Sequence, residues 1–93
     1  MDFYRGKAVY ISGGSSGIGL AAAKHLARAG AHVAISARGK DRLEAALAEI
    51  KALAANGEQK FIAIACDVSD PAESRRAAAE TLAAFGRCDV VIA

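Results

Sequence analysis

Short apolar runs alternate with helical stripes along the whole chain, and that alternation sets the class of fold open to it. Lys7-Ala8-Val9-Tyr10-Ile11-Ser12, His32-Val33-Ala34-Ile35-Ser36, Phe61-Ile62-Ala63-Ile64-Ala65 and Asp89-Val90-Val91-Ile92-Ala93 read as strands. Residues from about Ile18 to Ala29, from Asp41 to Ala55, and from Pro71 onward read as helices. The middle helix has the clearest stripe, with Leu43, Ala46, Leu47, Ile50, Leu53 and Ala54 on one face. Gly30, Asn56-Gly57 and Gly86 supply the stops. Asp70 is placed to cap the third helix, with Pro71 in its first turn and Glu73 spaced to close a capping box. Its expected inner face is Ala78, Thr81, Leu82 and Phe85. The strands are continuous apolar runs rather than alternating ones, which suits strands buried on both faces. The order βαβαβαβ therefore predicts an α/β fold, a doubly wound parallel sheet with right-handed crossovers.

Composition narrows the classes of function. The 93 residues are 54% hydrophobic and 24% charged with a single proline, which excludes a disordered, collagen-like or disulfide-framework chain. Twelve basic residues against ten acidic ones leave a net charge of +2, too balanced for a dense phosphate-neutralising surface, so no nucleic-acid partner is expected. The apolar runs fall far short of the roughly 20 residues needed to span a bilayer, so no membrane segment is expected. Met1-Asp2-Phe3-Tyr4-Arg5 lacks the apolar run of a signal peptide. Cys66 and Cys88 form neither a C-x-x-C pair nor a metal-ligand spacing, and read as free thiols of a reducing cytoplasm. A cytoplasmic protein without a metal site is the expectation.

The junction of the first strand and first helix carries the chemistry. Ser12-Gly13-Gly14-Ser15-Ser16-Gly17-Ile18-Gly19 lies where an open parallel sheet binds phosphates, with backbone N–H groups and the positive end of a helix dipole turned toward the loop. Glycines there permit a tight turn, close approach of a ligand and close helix–sheet contact. The spacing Gly13-x-x-x-Gly17-x-Gly19 is not G-x-G-x-x-G. Nor is it a P-loop, because Leu20-Ala21 stand where Lys and Ser/Thr are required. Ser15 and Ser16 suit either hydrogen bonds to phosphate or ribose, or simple turn formation.

This octapeptide resembles the T-G-x-x-x-G-I-G signature of the short-chain dehydrogenase/reductase family, with Ser12 in place of the usual threonine. Gly30-Ala31, Ala37-Arg38, Cys66-Asp67-Val68 and Asp89-Val90-Val91-Ile92 extend the resemblance along the chain. It implies a Rossmann-like fold, here the βαβαβαβ N-terminal half, and use of NAD(H) or NADP(H) on alcohols and carbonyls. It further implies cofactor contacts at Ser12, Gly13, Ser15, Ser16, Gly17, Ile18 and Gly19. By the same resemblance Asp67 accepts a hydrogen bond from the adenine amino group and Val68 packs nearby. Homo-oligomers are usual in the family.

The end of the second strand separates the two cofactors. A carboxylate there binds the 2′-hydroxyl of NAD, whereas an arginine accommodates the 2′-phosphate of NADP. Ser36-Ala37-Arg38 contains no acid, and Arg38 lies 19 residues after Gly19. Guanidinium matches phosphate geometry, so NADP(H) is the expected cofactor. The missing acid also counts against a methyltransferase using S-adenosylmethionine. Arg42, one helical turn beyond Arg38, is either a second phosphate ligand or a surface charge, and Lys40 is a weaker candidate.

The family's proton-transfer residues have no counterpart in the chain. A phenol near pKa 10 needs a nearby lysine to work at neutral pH. Tyr4 is followed at +4 by Ala8 and Tyr10 by Gly14, so neither forms Tyr-x-x-x-Lys. His25 and His32 read as structural or surface residues. Residues 1–93 are thus expected to be the dinucleotide-binding half of an NADPH-dependent reductase, without catalytic residues and inactive alone. The glycine loop, Ala37-Arg38, Arg42 and Asp67-Val68-Ser69 are similar to 3-ketodihydrosphingosine reductases and to general 3-oxoacyl and hydroxysteroid-type members. A small-molecule or lipid carbonyl is the implied substrate. The alternative is a non-catalytic NADP-binding sensor or regulator on the same fold.

Overall fold

The alternating segments form seven elements in a computed structural model that describes residues 3–92: β1 (Ala8–Ser12), α1 (Gly17–Arg28), β2 (His32–Ala37), α2 (Lys40–Lys51), β3 (Phe61–Ala65), α3 (Pro71–Phe85) and β4 (Val90–Ile92). Ala93, the expected last residue of the fourth strand, lies outside the described residues, as do Met1 and Asp2. The four strands form one parallel sheet in the order β3-β2-β1-β4. Tyr10 stands opposite both Ala34 and Val91, which sets the register across the middle of the sheet.

The strand period of two divides the core. Val9, Ile11, Val33 and Ile35 point to one face, against Ala23, Leu26 and Ala27 of α1 and Leu43, Ala46 and Ile50 of α2. Tyr10, Ala34, Ile64 and Cys66 point to the other, against Ala77 of α3. Helices on both faces confirm the doubly wound α/β reading. Burial of both strand faces holds for β1 and β2 but not for the outer strands. β3 is half-buried, and Val91 of β4 is 62% exposed. Among the described residues, no helix is long and apolar enough to cross a membrane.

Two sequence expectations are corrected. α2 ends at Lys51, not at Ala55, and Ala54 is exposed. Beyond that end Gln59 holds the loop: its Oε1 accepts the N–H groups of Ala55 and Asn56, while its Nε2 donates to the carbonyls of Ala27 and Ala31. One side chain thus joins the α1–β2 turn to the α2–β3 loop. In α3 the buried residues are Ala77 and Thr81, while Ala78 and Leu82 are exposed. Ala77 lets the helix lie close to Tyr10 and Ala34, and the Thr81 hydroxyl is satisfied by the Ala77 carbonyl at 2.9 Å. Alanines occur on several sides of α3, so apolar periodicity alone does not fix its rotation.

His32 is half-buried at the opposite end of the sheet from the glycine loop. Its Nδ1 accepts the Lys60 N–H at 2.9 Å, and its ring lies 5.6 Å from that of Phe85. Partial burial, then the charges of Lys60 and Arg87, hold its pKa below 6.5. The folded chain therefore binds this proton less readily than the unfolded one. The stability that the neutral ring contributes is complete above the unfolded value and is lost as pH falls below it, through the lower folded value. The urea midpoint of the wild type should fall more steeply between about pH 7.5 and 5.5 than that of His32→Asn, which keeps an acceptor but does not titrate. Equal slopes would refute this.

Candidate functional site

The carboxyl ends of β1, β2 and β3 lie on one edge of the sheet, where a parallel α/β sheet leaves its crevice. Ser12 ends β1 opposite Ser36 of β2. The next two N–H groups, of Gly13 and Gly14, both donate to the Ser36 carbonyl, at 2.8 and 3.3 Å, and this folds the loop over the end of β2.

The glycines serve two purposes. Gly13 and Gly17 have φ of 78° and 58°, in the left-handed region that costs other residues about 1–2 kcal/mol. No atom lies within 4 Å of where their Cβ atoms would stand, so this side of the loop is open. Gly14 and Gly19 are required by packing. A Cβ on Gly14 would lie 2.5 Å from Ile35 Cγ2, and one on Gly19 would lie 2.5 Å from the Gly13 carbonyl oxygen. Gly14 occupies a variable position of the sequence pattern. Its need for glycine comes from Ile35 on the neighbouring strand, which no local spacing reveals.

α1 begins without a side-chain cap. Ser16 is its N-cap residue in extended conformation, its hydroxyl makes no capping bond, and the first turn contains no acid. α3, by contrast, is capped by Asp70, which accepts the Ala72 N–H at 2.9 Å. The leading N–H groups of α1 and the positive end of its dipole are therefore left for an anion from outside. Ser15 is half-buried beside them, and Ile18 presents an apolar side chain that is 90% exposed.

Arg38 follows β2 directly and is exposed, with Arg42 in the first turns of α2. Among the described residues, none of Arg38, Lys40 and Arg42 enters an ion pair. Asp67 follows β3. Its Oδ1 accepts the hydroxyl and N–H of Ser69 at 2.6 and 3.0 Å, while no protein hydrogen bond falls on Oδ2 among the described residues. These two bonds, with a smaller effect from the charge of Arg38, hold the carboxyl below the usual 3.8. Arg38 and Asp67 thus follow the adjacent strands β2 and β3 at the same edge of the sheet.

The expected capping box is absent. Glu73 Oε1 accepts the Asp67 N–H at 2.8 Å, and Asp70 N–H donates to the Asp67 carbonyl at 3.0 Å. The Asp67–Asp70 turn points the Asp70 N–H away from Glu73. Val68 is 40% exposed and shares with Ser12 a groove of about 370 Å³, also lined by Tyr10, Ser74, Arg75 and Val91. The structure thus gathers Ser12 with Val68, and Arg38 with Asp67, beside the glycine loop. No hydrogen bond or ion pair among the described residues ties Arg42 to the rest.

A family model described as short chain dehydrogenase matches residues 7–93. The chain belongs to the short-chain dehydrogenase family of oxidoreductases. It is 44% identical over 90 residues to the short chain dehydrogenase pigC of Monascus ruber, covering 94% of this chain and 29% of that protein. It is 47% identical over 73 residues to a 3-ketodihydrosphingosine reductase of Cryptococcus neoformans, covering 78% of this chain and 22% of that one. Among solved structures, a Burkholderia cenocepacia short chain dehydrogenase in complex with NADP superposes with a TM-score of 0.84 at 40% identity, covering 95% of this chain and 35% of that one. An NAD+-bound xylitol dehydrogenase superposes with a TM-score of 0.86 at 25% identity, over 96% of this chain and 33% of that one. This family member thus spans about a third or less of these relatives' length, and the relatives include both an NADP complex and an NAD+ complex.

Proposed function

We propose that this chain is the dinucleotide-binding half of an NADP(H)-dependent short-chain oxidoreductase. The glycine loop fits the pyrophosphate, because it is open on one side, backed by Ser36, and followed by an uncapped helix N-terminus. Ser12, Gly13, Ser15, Ser16, Gly17, Ile18 and Gly19 would line that end. Arg38, with Arg42, would meet the 2′-phosphate, and Asp67 and Val68 the adenine. When bound, the cofactor supplies a hydride for interconversion of a carbonyl and an alcohol. A ketone of the 3-ketosphinganine or 3-oxoacyl type is the substrate class we favour, on the Cryptococcus relative. The free thiols of Cys66 and Cys88 support a cytoplasmic location.

The observation that carries the choice of NADP(H) is an arginine at the end of β2 that enters no ion pair among the described residues, in a segment that contains no carboxylate. Two opposite unit charges about 4 Å apart attract by about 4 kcal/mol at an effective dielectric of about 20. If about a third survives desolvation and screening, NADPH should bind about tenfold more tightly than NADH. Dissociation constants from nicotinamide fluorescence test this, and equal values would overturn it.

Residues 1–93 contain no Tyr-x-x-x-Lys, so by themselves they are expected to bind without catalysing. The 93-residue chain should bind NADPH yet show no turnover with a panel of ketones. Sustained NADPH oxidation by a chain of verified mass would refute that expectation.

A further inference from the structure

Side chains from the first turns of α3 reach back to hold the loop that carries Asp67. Glu73 Oε1 accepts the Asp67 N–H at 2.8 Å, and Ser74 Oγ donates to the Val68 carbonyl at 3.0 Å. Arg76 Nη2 donates to the Ala65 carbonyl at 3.2 Å and lies 3.9 Å from Glu73 Oε1. The bonds from Ser69 to Asp67 Oδ1 are internal to the loop. They set the carboxylate relative to its own backbone but not relative to the sheet. The Cys66 N–H ties the preceding residue to the Ala37 carbonyl of β2 at 3.0 Å, and Glu73 ties Asp67 itself to α3, forgoing the usual capping bond to do so.

We infer that Glu73 is a positioning residue for adenine recognition: by holding the Asp67 N–H it sets where Asp67 Oδ2 stands. The inference rests on the proposed assignment of Asp67 to the adenine amino group. A hydrogen bond to a carboxylate is stronger than a neutral one, and fixing a loop before the ligand arrives lowers the cost of ordering it on binding. Losing this bond frees the Asp67 N–H while leaving its side chain, charge and Ser69 contacts in place, and Cys66 stays anchored through its N–H to the Ala37 carbonyl at 3.0 Å.

The test compares NADPH with its 6-deamino analogue, in which a carbonyl acceptor replaces the amino donor. The wild type should prefer NADPH by about tenfold or more, since a carboxylate facing a carbonyl loses the hydrogen bond and is repelled. Asp67→Ala should bring that ratio close to one. Glu73→Ala should lower it about fivefold, and Glu73→Gln, which keeps an acceptor oxygen, should retain most of it. General loosening of the fold would weaken both ligands alike and leave the ratio unchanged. A wild-type ratio near one, or a ratio that survives Asp67→Ala, removes the assignment of Asp67 itself. A ratio that collapses in Asp67→Ala but is intact in Glu73→Ala overturns the inference about Glu73 alone. Glu73→Gln discriminating no better than Glu73→Ala would overturn it as well.

Discussion

Gly19→Ala should abolish detectable dinucleotide binding while leaving the chain folded. The added methyl would stand 2.5 Å from the Gly13 carbonyl oxygen, 3.1 Å from its carbonyl carbon and 3.2 Å from Gly14 Cα. All three are backbone atoms, so no side-chain rotation relieves the contact. Either the loop lifts away from α1 or the first turn of α1 shifts. In the first case the N–H groups of Gly13 and Gly14 are pulled from the Ser36 carbonyl, in the second the leading N–H groups of α1 are displaced, and in either the anion-binding edge loses its shape. Stability should change much less. Alanine is preferred over glycine within a helix by about 1 kcal/mol, which offsets part of the strain. A loss of at least about a hundredfold in NADPH affinity, or about 2.7 kcal/mol, should therefore accompany near-native helicity by circular dichroism. Wild-type affinity in a folded Gly19→Ala variant would show that this loop is not where the pyrophosphate sits. Gly14→Ala is a useful contrast. Its methyl would strike the side chain of fully buried Ile35, so the damage should appear as lost stability as well as lost binding.

Local residues made the layout of the sheet readable. Val9, Ile11, Val33 and Ile35 are apolar in strands whose neighbours are apolar too, and only helices on both faces of a parallel sheet bury such a pattern. Gly13, Gly17 and Gly19 were visible because their spacing is local. Residues whose roles depend on distant partners were not. Gly14 answers to Ile35, Gln59 to carbonyls roughly thirty residues upstream, and Glu73 to Asp67 rather than to its own helix. In Glu73 the local rule and the tertiary contact compete for one carboxylate, and the contact prevails because the Asp67–Asp70 turn already occupies the Asp70 N–H. The rotation of α3 was hidden for a different reason. Its alanines make several faces equally acceptable, and the close approach allowed by Ala77 decides among them.

Arg38→Asp should reverse the cofactor preference. Arg38 has no ion-pair partner to lose among the described residues, so its replacement disturbs the apo chain little. It follows β2 directly, at the carboxyl edge of the parallel sheet where the glycine loop follows β1. The substitution acts twice on a 2′-phosphate, first by removing an attraction and then by introducing a repulsion. Each step, screened to about a third of its Coulomb value, changes affinity about tenfold. For the 2′-hydroxyl of NADH the aspartate supplies an acceptor. The ratio of NADH to NADPH dissociation constants should therefore fall by about a hundredfold. The salt dependence of NADPH binding should change with it, because salt weakens the attraction in the wild type and relieves the repulsion in the variant. An aspartate at this position would also raise the pKa of Asp67, since the positive charge now helping to hold it down becomes negative. Arg38→Gln separates the two effects, because it deletes the attraction without charging the neighbourhood of Asp67, and should shift the ratio about tenfold. If neither variant moves the ratio, the phosphate is held elsewhere, and Arg42→Ala decides whether the first turn of α2 is that place.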